Sequence, residues 1–208
     1  MKIFLLGASG MIGSRVLSEA TSRGHEVIAA ARHPDKIVAG KGVTAVKADL
    51  SDAATLAKSA AAADVIVSAV SPRNGGDPVD EARAIGKAVM AAAKSSGKRL
   101  VMVGGAGSLN LPDGSPLLPH IPDIYRPEAT GFKAIYEALK ASDLDWTFFS
   151  PAAMIQPGER TGKFRLGKDV LVSAADGQST ISAEDYAIAL VDELEKPANR
   201  KSIMTIGY

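Results

Sequence analysis

A chain of 208 residues with 46% hydrophobic and 23% charged side chains has a globular balance and excludes a disordered polymer, which lacks the apolar surface to offset the entropy of ordering. Cysteine is absent, which excludes disulfides, thiolate nucleophiles and thiolate metal centres. Lys and Arg number 24 against 23 Asp and Glu, a net charge of +1, without the basic excess of a nucleic-acid binder, and three scattered histidines argue against a transition-metal site. The N-terminal run Ile3–Leu6 reads as a buried first strand of a cytoplasmic protein. It is too short for a signal peptide and leads straight into a glycine turn. No stretch approaches the ~20 apolar residues that span a bilayer, so no membrane partner is expected. Further strands are predicted at Val27–Ala31, Val43–Val46, Val65–Val70, Leu100–Val103, Trp146–Phe149 and Ile203–Ile206. Their near-continuous hydrophobicity suits parallel strands covered on both faces. Helix formers fill Ile12–Arg23, Ala53–Ala63, Val79–Ser96, Thr130–Ala141 and Ile181–Glu195. Ser51 or Asp52 reads as an N-cap and Gly97 as a C-cap. The alternation predicts an α/β, doubly wound, Rossmann-like parallel sheet with helices on both faces. The whole of 1–208 is expected to form one domain, with 151–208 including a small, dependent extension on the substrate side. Two glycine- and proline-rich loops, Gly104–Pro122 and Pro151–Gly167, each follow a strand directly, where function tends to reside.

The first turn carries the chemistry. Gly7-Ala8-Ser9-Gly10-Met11-Ile12-Gly13 follows a strand and opens a helix, the context that makes spaced glycines meaningful. Gly7 permits the tight turn, Gly10 lets a pyrophosphate approach the backbone, and Gly13 lets the helix pack on the strands. The helix N-terminus offers free N–H groups and the positive end of a dipole. An NAD enzyme of this build places an acid after the second strand for the ribose 2′-hydroxyl. Here the sequence is Ala29-Ala30-Ala31-Arg32-His33, so Arg32 instead offers a planar cation to a 2′-phosphate. NADP is therefore the expected cofactor, with NAD as the alternative. Arg73 lies in the loop after the fourth strand, where an ordinary surface arginine competes with a phosphate or substrate contact.

The glycine turn resembles that of the atypical and extended short-chain dehydrogenase/reductases, and the likeness runs through almost the whole chain. It extends over Ala31-Arg32-His33-Pro34, Lys47-Ala48-Asp49-Leu50, Ser68-Ala69-Val70-Ser71 and Val103-Gly104-Gly105-Ala106-Gly107-Ser108. Asp145–Ala152, Pro157–Gly162 and Ser182–Ala187 are similar more narrowly to NmrA-like proteins of the NAD(P)H-flavin reductase type. The resemblance implies that Asp49, beside Leu50, accepts from the adenine amino group, with an N-cap role as its competitor. It implies that Ala69, Val70 and Ser71 pass along the ribose, that Pro151, Ala152, Ala153 and Met154 pack the nicotinamide, and that Ser108 is the family serine.

The family's Tyr-x-x-x-Lys pair is missing at its usual place. Tyr136 and Lys140 have the spacing but read as an exposed helix face. Tyr125 is better placed, but four residues on stands Ala129. Reducing a ketone creates an alkoxide that needs a nearby acid, whereas a reduced flavin or quinone delocalises its charge and takes its proton from solvent. The expected function is hydride transfer from NADPH to a small-molecule acceptor such as FMN, another flavin or a quinone, with Ser108 and Tyr125 at the reacting end. The acceptor is expected between the two long loops. A non-catalytic NADP(H) sensor and a nucleotide-sugar epimerase or dehydratase are the alternatives. Glu184 and Asp185 read as dipole-favoured acids in the last helix, and monomer and homodimer stay open.

Overall fold

The structure, a computed structural model, describes residues 1–208. Five central strands follow the hydrophobic runs: β1 (Lys2–Leu6), β2 (Glu26–Ala31), β4 (Val65–Ser68), β5 (Arg99–Val103) and β6 (Trp146–Ser150). With β3 (Val43–Lys47) they lie parallel in the order β3-β2-β1-β4-β5-β6. That order reverses between β1 and β4, which opens a crevice outside the carboxyl ends of the strands. The register sets Leu6 beside both Ala30 and Ser68, so the three first turns end at one level.

Helices α1 (Met11–Ser22) and α5 (Ala183–Glu195) cover one face, over a core built on Ile3, Leu5, Val67, Phe149 and Tyr186. Helices α2 (Ala53–Ala61), α3 (Pro78–Ser96) and α4 (Arg126–Lys140) cover the other, over Phe4, Ile66, Leu100, Met102 and Phe148. Alternate residues of each strand face opposite cores, as a pleat requires. The doubly wound reading therefore holds. Asp52 caps α2, its side chain accepting from Thr55 N, and Gly97 closes α3 with φ +66°. Ser51 does not cap; it donates to Asp49 instead.

The C-terminal third departs from expectation in several places. The run Ile181–Glu195 is not all helix: β9 (Thr180–Ser182) precedes it, and Ser182 caps α5 by accepting from Asp185 N at 3.0 Å. The loop Pro151–Gly167 contains β7 (Met154–Gln156), paired in parallel with β9, and β8 (Arg165–Gly167). The last strand, β10 (Ser202–Gly207), inserts between β6 and β8, parallel to the first and antiparallel to the second. Tail residues thus complete the main sheet and one of its helical faces as well as forming the small β7–β9 pair. The strand expected to reach Val70 ends at Ser68. No helix is long and apolar enough to cross a membrane.

Candidate functional site

The glycine turn folds as the physics of its residues demands. Gly7 adopts φ +80°, and a Cβ there would lie 2.6 Å from the Ala69 carbonyl oxygen. A Cβ on Gly13 would lie 2.0 Å from the Gly7 oxygen, so α1 reaches the strands only because that position is bare. Gly10 differs. A Cβ on it would meet only the Gly7 oxygen, at 3.3 Å, and otherwise enters open space. Gly10 is also the N-cap of α1, with no side-chain cap and no acid in the first turn. An uncapped helix start beside open backbone is the donor set a pyrophosphate needs.

Above this turn lies a cavity of about 400 Å³ at the ends of β1, β2, β3 and β4. It gathers the sequence-predicted Gly7, Ser9, Gly10, Arg32, Asp49, Leu50, Ala69, Val70 and Ser71. Four predicted residues of the turn lie outside its lining. Ala8 is buried, its N–H given to the Ala30 carbonyl at 3.1 Å, and Gly13 packs beneath Gly7. Ile12 is half-buried against the core, while Met11 keeps 39% of its surface exposed at the start of α1. The volume falls within the usual range for a small-molecule site, roughly 300–1,000 Å³.

The electrostatics of the cavity are divided. Asp49 accepts from both the backbone N–H and the hydroxyl of Ser51, at 2.8 and 2.7 Å, and both bonds go to Oδ1. Those two bonds, the backbone one foremost, hold its carboxyl below the usual carboxylate range. Oδ2 is left as an ionised acceptor, suited to an amino group. At the other wall Arg32 donates through Nη1 to Asn74 Oδ1. Asn74 and Arg73 both line the cavity, and little in the sequence marks Asn74. A polar residue in a glycine-containing turn reads as loop; the only available signal was its place directly after the fourth strand, where that turn meets the cavity.

Ser108 and Pro151–Met154 lie further along the sheet, past β5 and β6. Ser108 follows β5 in a single 3-10 turn (Ala106–Ser108), is 8% exposed, and its hydroxyl has no hydrogen-bond partner. An orphaned buried hydroxyl costs about 1–3 kcal/mol unless water or a ligand meets it. Ser150 ties the two strand ends together by donating to the Gly105 carbonyl at 3.1 Å. Pro151 and Ala152 are buried, and Ala153 and Met154 exposed, the latter by 56%. The backbone N–H groups of Ala153 and Met154 are both taken by Ser179.

Tyr125 is 62% exposed at the start of α4, and Ala129, where a family lysine would stand, is buried. Tyr136 is not on an exposed face. Its ring packs against Trp146 and Phe148, with Lys140 over it at 5.3 Å, and burial pushes its phenol up. Trp146 begins β6, so that pair belongs to the end of the sheet remote from the cavity. His120 is exposed. The two long loops meet in a groove of about 760 Å³ lined by Leu111, Pro112, Arg165 and Leu166 among others. It lies on the β8 edge of the sheet, beyond β10.

Asp185 proves to be structural. It is fully buried and accepts from the N–H groups of Thr161 and Gly162, each at 2.8 Å, and from the Thr161 and Tyr208 hydroxyls. Glu184 pairs with Arg15 at 2.9 Å.

Fold, glycine turn and crevice together define a Rossmann-like protein that binds a nicotinamide dinucleotide. The family of NAD(P)H-binding proteins matches residues 7–197, and the chain belongs to it. Solved structures agree over the full length. A candidate exported protein from Burkholderia pseudomallei is 44% identical, with TM-score 0.89 and 100% of both chains covered. A candidate epimerase from Bacteroides thetaiotaomicron is 40% identical, with TM-score 0.92 over 100% of this chain and 96% of the other. A candidate NADH-flavin reductase from Streptococcus pneumoniae is 31% identical, with TM-score 0.85 over 100% and 99%. The likeness to extended, NmrA-like short-chain dehydrogenase/reductases stands with them.

Proposed function

We propose that this protein is an NADPH-preferring reductase that delivers hydride to a flavin or quinone-like acceptor. The observation that carries the reading is the want of a paired phenol and lysine. The Ser108 hydroxyl is buried and unpartnered and Tyr125 is exposed without a lysine four residues on, while the spaced Tyr136–Lys140 pair is packed at the remote end of the sheet. Such a site does not supply the tuned phenol that ketone reduction requires. It suits an acceptor whose added charge is delocalised and whose proton comes from water. The Streptococcus pneumoniae relative points the same way.

The cofactor, when bound, supplies the hydride from C4 of its nicotinamide. The chain's own part is binding and orientation. Gly10 and the first turn of α1 hold the diphosphate, Asp49 Oδ2 receives the adenine amino group, and Ala69, Val70 and Ser71 follow the ribose. Arg32 recognises the 2′-phosphate, since no acid stands at the end of β2. Ala153 and Met154 border the nicotinamide face, with Ala152 buried beneath them, and Ser108 donates to the carboxamide or to the acceptor.

Purified protein mixed with NADPH and FMN, riboflavin or a simple quinone should oxidise the nicotinamide well above the free-flavin background. Turnover no faster than that background, with NADPH still bound, would favour the cofactor-sensing reading instead. Arg32→Ala should bring the NADPH affinity down to that for NADH, and an unchanged affinity ratio would defeat the NADPH assignment.

A further inference from the structure

Arg32 is not a free surface cation. Its Nη1 donates to Asn74 Oδ1, a contact across 42 residues of sequence, and its other N–H groups have no protein acceptor. Asn74 sits in the turn between β4 and α3, which has little packing of its own. Gly75 there has φ +88°, and a Cβ on it would have no neighbour within 4 Å. Glu81, in the first turn of α3, fixes the turn. Its Oε2 accepts from Asn74 N at 2.9 Å and its Oε1 from Gly76 N at 2.7 Å. Gly76 makes room for this: a Cβ on it would lie 3.0 Å from that same Oε1. Glu81 is itself anchored, its N–H donating to the Asp77 carbonyl at 2.9 Å, and Asp77 caps α3 through Val79 N and Asp80 N. A continuous run of hydrogen bonds therefore leads from the start of α3 through Glu81 and Asn74 to the guanidinium at the cavity wall.

We propose that Glu81 and Asn74 are positioning residues that set selectivity for a 2′-phosphorylated dinucleotide. The inference rests on the reading of Arg32 as the group that meets that phosphate. A solvated arginine must give up side-chain freedom to bind, and holding it in place beforehand removes that cost from the binding step. The Asn74 amide orients the guanidinium through one N–H and leaves the others for a phosphoryl group, which favours planar, charge-assisted contacts. It also leaves the cation unneutralised. An aspartate at the same place would hold Arg32 more strongly but set a negative charge beside the incoming phosphate.

The test is calorimetry of NADPH, NADH and adenosine 2′-monophosphate on the wild type and on Arg32→Ala, Asn74→Ala, Asn74→Asp and Glu81→Ala, with the ligand-free thermal midpoint as the check on folding. Asn74→Ala and Glu81→Ala are expected to lose about tenfold in affinity for NADPH and adenosine 2′-monophosphate while NADH changes by less than about twofold, the size of one hydrogen bond to a charged group. Asn74→Asp, which keeps the side-chain volume, is expected to lose at least as much NADPH affinity as Asn74→Ala. In turnover, the KM for NADPH should rise with kcat unchanged. Equal losses for NADPH and NADH would mean a merely structural turn and overturn the proposal, as would a wild-type ratio in Asn74→Asp. If Arg32→Ala removes the preference while the Asn74 and Glu81 variants keep it, this inference alone falls. If Arg32→Ala keeps the preference, the NADPH reading and this inference fall together.

Discussion

Gly13 is required by the protein's interior, whereas Gly10 faces open space and is proposed to be kept bare for the cofactor, and the two requirements can be separated by experiment. A methyl on Gly13 would have to displace backbone, since its Cβ would sit 2.0 Å from the Gly7 oxygen. Gly13→Ala is expected to lower the unfolding free energy by about 2–4 kcal/mol, the size of overpacking against a rigid neighbour, measured by urea denaturation. Gly10→Ala meets only the Gly7 oxygen at 3.3 Å. Its stability should stay within about 1 kcal/mol of wild type, while NADPH affinity falls about tenfold or more as donors to the charged diphosphate are displaced. Equal damage to folding and binding in Gly10→Ala would remove that residue from the cofactor's path. These glycines were legible in the sequence because their spacing, between a strand and a helix, marks them. Asn74 was not, because its role depends on a guanidinium that only the fold brings to it. Tyr136 was misread for a related reason. Phe132, Ile135 and Leu139 mark the buried stripe of α4, and the Tyr136 ring extends it sideways onto Trp146 and Phe148.

Among the elements, α1, α5 and the segment after β7 are joined by one buried carboxylate. Glu19 on α1 is 6% exposed and receives Arg23 Nε at 2.8 Å and both Nε and Nη2 of Arg160, at 2.9 and 2.8 Å. Arg23 reaches on to Asp192 and Glu195 of α5, at 2.7 and 3.0 Å. The Arg160 hydrogen bonds foremost, then those from Arg23, hold the Glu19 carboxyl below its ordinary 4.5 against the opposing effect of burial. A carboxyl with a folded-state pKa below the unfolded one stabilises fully above the unfolded value and loses that contribution as pH falls through the folded value. The hub should therefore be intact at neutral pH and weaken below about pH 4.5. Glu19→Gln keeps the shape and removes the charge. It should cost about 2 kcal/mol at pH 7 and flatten the acid limb of the stability curve, both read from denaturant midpoints across pH. This hub was invisible in the sequence because its charges come from segments 141 residues apart. The short strands were missed for a different reason: β7, β8 and β9 have three residues each, too few for any periodicity to show. From β1 to β6 the runs are longer and apolar, and there the architecture could be read directly.

At the scale of the molecule, the cavity takes residues from the ends of four parallel strands, β1, β2, β3 and β4, so a ligand in it joins both sides of the switch point. Such a ligand binds only the folded chain, whose separate turns assemble the site, and must raise stability by mass action. NADPH at a hundred times its Kd should add about 2.7 kcal/mol. For a chain of this size that corresponds to a Tm increase of roughly 5–10 °C. NADH at the same concentration should give a smaller increase, and in Arg32→Ala the two responses should converge. The rise should carry a spatial signature in hydrogen exchange. Among amides that exchange by local opening, protection should grow at the start of α1 and in the turn holding Asn74, both of which border the cavity, and stay level across β8, which lies at the opposite edge of the sheet. No stability gain with either nucleotide, or no local slowing at the start of α1 and in the Asn74 turn, would place the dinucleotide somewhere other than this crevice.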